Sequence, residues 1–496
     1  MTSGQATLPR TVSAPVVAAS PSRLSGKSFA SALLILFTGL ALTLAWRLSP
    51  APGWWFPLLA GSALSAASIW RRQPWADGWS RYLGFGAIVL LACVVNRVLY
   101  LGDLFLSGDV YLDWPFYAPH PQASIIKAEM ATMLGTLLTV FAWFAGGGAR
   151  FSPGSVLQTS RTPLLRLLVV TYVCSLLTLL LSMVAPAALL MSGQFLPTML
   201  VLGSTTAFFV PLLVTRTRLS RLGLVILMGA PFIYVALGTG MKETILLALM
   251  PTAYMSWNYS RRRGARLMLV LVALVVFAMV TSYIGFFRNE VWYTDRAVAQ
   301  GQVFSDFVDS IDRRGMAATT SDGLAEFLAR SDAAPYRGWA VAIADQEGYQ
   351  PALVFNPLLY VFVPRMLWPD KPPVRQGWEY SGLVFGAQYA AGNDSSLSAG
   401  LYPALYLGQG WSAVLLGAAA VGFLVAWLTR LALRVGGPVL AGLFTLSLLP
   451  YALRLDEAWT VGAFSAPIIN FVYIVVIFVA ARVLAGVLPS SEPAHG

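Results

Sequence analysis

Runs of about 20 apolar residues, one after another and each closed by a few basic or turn-forming residues, leave few folds open to a chain. The first runs from Phe29 to Leu48, and others follow at roughly 55–70, 82–102, 125–145, 164–185, 195–214, 222–238, 244–259 and 267–287. After a long mixed segment come three more, at about 400–428, 438–453 and 462–483. In lipid a backbone must pair its own polar groups, so each run is expected to be a helix. Composition agrees: 11% of residues are charged, where soluble domains carry about a quarter. Mean hydropathy is +0.68. The reading is an all-α polytopic membrane protein with about 12 transmembrane helices.

The basic residues orient it. Arg71 and Arg72, Arg150 and Arg161, Arg216 with Arg218 and Arg221, Arg261–Arg263 with Arg266, and Arg430 with Arg434 occupy alternate connections. All five clusters fall on one side if both termini are cytoplasmic. This use of the charge also removes the need for a nucleic-acid partner, despite a pI of 9.7. Acids show the complement. Asp103, Asp109 and Asp113, thirteen acids from Glu290 to Asp394, and Asp456 with Glu457 fall outside, whereas Asp77 and Glu492 face the cytoplasm. The chemistry is therefore expected on the external face.

This divides the chain into a disordered cytoplasmic tail (1–28), a bundle of about nine helices (29–287) and a large external loop (288–399). About three C-terminal helices (400–485) and a short tail (486–496) complete it. A signal peptide is the alternative for the N-terminus, but the first apolar run is long for one. Within the loop, 303–314 and 321–329 read as helical. The run 352–363, bounded by Pro351 and Pro364, is too short to span and reads as a re-entrant or interfacial helix. Cys93 and Cys174 lie in apolar runs and give no disulfide framework, while His120 and His495 cannot build a histidine metal centre. Any catalysis is left to carboxylates, arginine and lysine, without metal or cofactor.

Five constellations carry candidate chemistry. Four prolines between 364 and 373 exclude a regular helix and place Arg365, Asp370, Lys371 and Arg375 on a stiff ribbon with Trp368. Fixed cations beside a membrane suit a phosphate or pyrophosphate; a solvated loop is the plain alternative. Asp370 is either a mechanistic carboxylate or the ion-pair partner of Lys371. Gly238-Thr-Gly-Met-Lys-Glu243 is a turn that offers Lys242 to an anion, or else a compact turn with Lys242 paired to Glu243. Arg288 and Glu290 emerge at the end of an apolar run, as boundary anchors or site residues. Arg454-Leu-Asp-Glu457 is a charged turn that adds a further cation or stays solvated surface. Asp103, Asp109 and Asp113 with Trp114, Tyr117 and His120 suit sugar hydroxyls and rings, or a structured loop. No P-loop, HExxH or GxSxG motif occurs.

The run Val363-Pro-Arg-Met-Leu-Trp-Pro-Asp-Lys-Pro372 resembles the Pro-Arg-x-x-x-Pro-x-Lys-Pro run of bacterial oligosaccharide repeat-unit polymerases, the Wzy or O-antigen polymerase group. Gly238–Glu243 is similar to their glycine-rich turn, and the long late external loop matches their architecture. The resemblance implies a fold similar to lipid-linked-donor (GT-C-like) glycosyltransferases. It implies metal-independent transfer at the periplasmic face of the inner membrane, with undecaprenyl-pyrophosphate-linked glycans as donor and acceptor. A chain-length regulator and a flippase would be its partner proteins. Arg288, Arg365, Glu290 and Asp370 would then be catalytic, and Lys242, Lys371, Arg375, Arg454 and Trp368 substrate-binding. An O-antigen-ligase-type transferase, or a transporter or flippase of lipid-linked glycans, are the alternatives.

Overall fold

The structure is a computed structural model that describes residues 89, 122–148, 161–184, 195–215, 218–237, 245, 248–249, 263–287, 300–315, 318, 334–363, 367–386, 397–448, 451–452, 454–455 and 457–487. Expectations for the first three apolar runs, for most of 244–259, for helix 321–329 and for both tails lie outside these residues. So do those for Lys242, Arg288, Glu290, Arg365 and the Asp103–His120 loop.

Among the described residues the protein is all helical. The helices are α1 (Gln122–Ala145), α2 (Arg161–Val184), α3 (Phe195–Val214), α4 (Arg218–Leu237), α5 (Arg263–Phe287), α6 (Gln300–Arg314), α7 (Ala334–Gln346), α8 (Pro351–Tyr360), α9 (Gln376–Phe385), α10 (Leu401–Ser447) and α11 (Thr460–Val487). Among the described residues four segments are long and apolar enough to cross a membrane: Lys127–Ala145, Ser220–Leu237, Leu401–Gly437 and Thr460–Leu484. The outer surfaces of α11 and of the shorter apolar stretch in α2 carry apolar stripes at helical spacing. In α11 Val472, Val476, Val479 and Val483 are exposed, and in α2 Val169, Val173, Leu177 and Leu180. Water would oppose such stripes, whereas lipid covers them without cost.

α10 is not one rod. Gln409 and Gly410 leave the helical region, Gly410 at φ 66°, and Gly437 does so again at φ 65°. Residues 405 and 417 would stand about 18 Å apart along a continuous helix. Instead the Leu405 side chain fills the space above Gly417. The leg 401–408 therefore folds back on the leg 411–436. Neighbours on α1 agree: Tyr402 covers Gly135 and Tyr406 meets Lys127, whereas Thr139 meets Ala418 and Gly146 meets Ala426. The first leg is antiparallel to α1 and the second parallel to it. This corrects the single span expected over 400–428, because a Gln–Gly pair in an apolar run permits a reversal that hydropathy does not register. Beyond Gly437 the third leg runs antiparallel to α11, with Phe444 on Phe471 and the Tyr451 hydroxyl donating to the Ala463 carbonyl at 2.6 Å.

The α1–α10 seam is built from small residues. Ala418, Gly422 and Ala426, four apart, form a stripe that lets the backbones approach, and Thr139 donates to the Ala418 carbonyl at 3.0 Å. A Cβ on Gly422 would lie 2.2 Å from the Thr139 carbonyl oxygen, a backbone atom that cannot rotate away. Gly422→Ala is expected to destabilise the bundle by about 1–3 kcal/mol, the usual cost of overpacking. Gly229→Ala, where a Cβ meets nothing within 4 Å, is the matched control and is expected to be neutral. Unfolding of the purified protein in detergent reads the difference.

Pro211, Pro231, Pro357 and Pro467 lie inside described helices and remove backbone donors, and three of the loosened turns are met from a neighbouring element. Tyr172 of α2 donates to the Met228 carbonyl before Pro231. Tyr451 donates to Ala463, the carbonyl that Pro467 leaves without its helical donor. The third case, at Pro357, organises the candidate site.

Candidate functional site

The run 352–363, expected as a short re-entrant or interfacial helix, contains α8, which buries Leu353, Val354 and Pro357 and packs on α10 and α11. Pro357 has no N–H, so the Leu353 carbonyl lacks its helical donor. The fully buried Gln376 supplies one: its Nε2 lies 3.0 Å from the Leu353 oxygen, 2.9 Å from that of Val354 and 3.0 Å from Thr460 Oγ1. Thr460 in turn donates to Val354 at 2.7 Å, and the Val461 N–H reaches Gln376 Oε1 at 3.4 Å. One amide thus joins α8, the start of α9 and the start of α11. Gln376→Leu is expected to lower stability by about 1–3 kcal/mol by leaving buried groups unsatisfied. Gln376→Glu, which keeps the shape but adds a buried charge, should cost more in the same unfolding measurement.

Between α8 and α9 the described residues, 361–363 and 367–375, are non-helical, as the prolines lead one to expect. They place Lys371, Asp370, Trp368 and Arg375 as follows. The Lys371 ammonium donates to the carbonyls of Val361 (3.2 Å) and Val363 (2.8 Å), oxygens that follow the end of α8. A cation there also meets the negative end of the α8 dipole. This ammonium, a candidate phosphate ligand, also has a part in shaping the ribbon. Asp370 is exposed in a turn closed by the Lys371 N–H on the Trp368 carbonyl at 3.1 Å. Trp368 stands edge-on to Tyr360, centroids 6.3 Å apart. Burial first, and then the Glu379 charge, pushes the Tyr360 phenol up. Arg375 precedes α9, exposed to solvent, with its guanidinium 5.1 Å from the Trp378 ring.

Around these cations the surface is apolar. Leu359 is 81% exposed and Leu367 76%, and Phe362 and Val374 are exposed beside them. Cations set among exposed apolar and aromatic side chains suit the headgroup level of a bilayer.

Arg454 lies on the turn before α11, half exposed, 3.9 Å from Glu457. That turn is tied to the start of α9. Trp459 Nε1 donates to the Leu397 carbonyl at 3.0 Å, and the Leu397 N–H to Gly377 at 3.2 Å. Ser398 Oγ donates to the Glu457 carbonyl. The elements bearing Arg375 and Arg454 are thus joined at one end of the bundle. Tyr380, fully buried against Trp459, donates to the Tyr336 carbonyl and so fastens α9 to α7. Burial holds its phenol well above the ordinary range, which keeps it a neutral donor.

Two ion pairs missed in the sequence fix α7 to α1. Arg337 Nη1 meets Glu129 Oε1 at 3.0 Å, with both side chains almost fully buried. Lys127 Nζ meets both Asp345 oxygens, at 2.9 and 2.7 Å, at a half-exposed position. A signal for the first pair was present: the expected topology puts Arg337 in the external loop, where basic residues are few, and such an arginine calls for a partner.

No curated protein and no solved structure matches the chain. One family does, over residues 151–479, a stretch that takes in α2 to most of α11 and so the whole ribbon, and leaves α1 outside. On that match the chain belongs to the family described as a domain of unknown function, DUF8712.

Proposed function

We propose that the chain polymerises undecaprenyl-pyrophosphate-linked oligosaccharide repeat units into O-antigen, capsule or exopolysaccharide at the periplasmic face of the inner membrane. The proposal includes twelve spans, both termini inside, and a fold similar to lipid-linked-donor glycosyltransferases. The observation that carries it is the ribbon after α8. It is non-helical, cationic and set in exposed apolar surface, and Gln376 ties it to a bundle with lipid-compatible faces.

In the reaction a hydroxyl of the acceptor unit attacks the anomeric carbon of the donor glycan. The C–O bond to pyrophosphate breaks, undecaprenyl pyrophosphate leaves with the bonding pair, and the hydroxyl proton passes to a carboxylate or to water. Leaving-group charge asks for fixed cations, the role of Arg288, Arg365 and Arg375, with Lys242 and Arg454 binding the headgroup. Glu290 and Asp370 are the candidate bases. No step needs a metal.

A strain lacking the protein, complemented with wild type, tests this on a gel that resolves surface and lipid-linked glycans by length. The proposal expects the deletion to abolish the polymer ladder while single repeat units still reach their final acceptor. Full-length polymer held on the carrier lipid would identify a ligase. An unchanged ladder would remove the glycosyltransferase reading.

A further inference from the structure

The reversal in α10 places at one point side chains that the ribbon does not use. Tyr406 and Trp411 flank the non-helical Gln409–Gly410 pair, ring centroids 5.5 Å apart and nearly perpendicular. Tyr349, from the connection between α7 and α8, stands edge-on to Tyr406 at 6.4 Å, and its hydroxyl lies over Gly410. Asp345 accepts from the Tyr406 hydroxyl at 2.9 Å and from Lys127, whose ammonium lies 4.7 Å above the Tyr406 ring. Tyr349, Asp345 and Gln409 are all exposed. A backbone N–H from this connection, that of Gln350, donates to Leu407 at 2.8 Å and holds it against the break.

We propose that this cluster is a subsite for a sugar ring, and specifically that it holds the glycan portion of the lipid-linked substrate. The second half of that statement rests on the polymerase reading; the first does not. Sugar rings present C–H faces, which pack on aromatic surfaces, and equatorial hydroxyls, which need donors and acceptors at the edge. Tyr349 and Trp411 supply the first, while Asp345, Gln409 and Lys127 supply the second. The Lys127 pairing orients the Asp345 carboxylate, leaving further lone pairs to accept from hydroxyls.

The position fits a glycan whose lipid end sits at the ribbon. α8 begins beside the aromatic cluster and ends where the ribbon starts, so the two are separated by the length of a ten-residue helix, about 15 Å. Its exposed line is Ala352, Asn356 and Leu359, and Asn356 is its hydrogen-bonding member. An oligosaccharide laid along this line has its lipid end at the start of the ribbon, after Tyr360, and a distal ring at Tyr349.

The test uses the full chain in lipid nanodiscs, where binding is read without polymerisation. The probe is the repeat-unit oligosaccharide of the cell's own surface glycan, released from its carrier by mild acid, and the readout is saturation-transfer NMR. Wild type is expected to bind. Tyr349→Ala should bind roughly three- to tenfold more weakly, and Tyr349→Phe, which keeps the ring, close to wild type. Asn356→Ala, on the solvent side of α8 and without a packing role, should lose a few-fold and covers the case in which Tyr349→Ala does not fold. Absence of binding by wild type would overturn the subsite, as would unchanged binding by both alanine variants. Because the ladder assay is separate, an unchanged ladder with oligosaccharide bound at Tyr349 would remove the polymerase reading and leave the subsite standing.

Discussion

Replacing Arg337 with methionine is expected to cost about 3–5 kcal/mol of stability, the usual penalty for stranding one charge of a buried pair. The Arg337 and Glu129 side chains are 6% and 1% exposed, so neither charge can turn to solvent when the other is removed. Arg337→Met leaves the buried Glu129 carboxylate without its guanidinium partner. Glu129→Leu strands the guanidinium in the same way. The double variant removes both charges and is expected to recover most of the loss, because buried pairs replaced by apolar residues are often neutral. By contrast, Asp345→Asn breaks a pair that is a third exposed and should cost no more than about 1 kcal/mol. Urea unfolding of the four proteins in detergent gives the ordering. Arg337→Met or Glu129→Leu within about 1 kcal/mol of wild type would contradict the clamp. The functional consequence is testable as well, since α7 anchors the layer that presents α8 and the ribbon. Arg337→Met should weaken the polymer ladder and the double variant should restore it.

The second large effect is catalytic. Arg375→Ala, and likewise Arg365→Ala, is expected to lower chain elongation by about 10²–10³-fold, the loss seen when one fixed donor to developing negative charge is removed. Arg375 is exposed and its aromatic neighbour Trp378 lies only three residues further along the chain, so its truncation should leave unfolding unchanged. Arg375→Lys keeps the charge without the fork and should fall between. A fold-neutral Arg375→Ala with wild-type elongation would remove the ribbon from the site.

Which features were legible follows from how far each depends on distant residues. The bounds of α2 to α5 lie within a few residues of the apolar runs, since one run of sequence decides one helix. Pro351 and a short run located α8, and four prolines forecast the non-helical ribbon. The reversal at Gln409–Gly410 was hidden because the residues on both sides are apolar and only tertiary contacts at Gly417 and Gly135 select it. The Glu129–Arg337 pair joins residues 208 apart, beyond any local pattern. Gln376 lies between: a proline inside α8 demands a donor for Leu353, but only the fold names the side chain that supplies it. Lys371 was found as a residue of interest, and its two carbonyl partners emerged only with the end of α8 in place.

The most direct test of the central claim is reconstitution. Purified full-length protein in nanodiscs would be given undecaprenyl-pyrophosphate-linked repeat units and EDTA, and both glycan length and free undecaprenyl pyrophosphate would be followed. The account predicts chains of two or more repeat units, one carrier lipid released per linkage formed, no loss in EDTA, and a product that falls about 10²-fold or more with Arg375→Ala. Repeat units recovered unlengthened, with no carrier released by the wild-type protein that restores the ladder in cells, would contradict it.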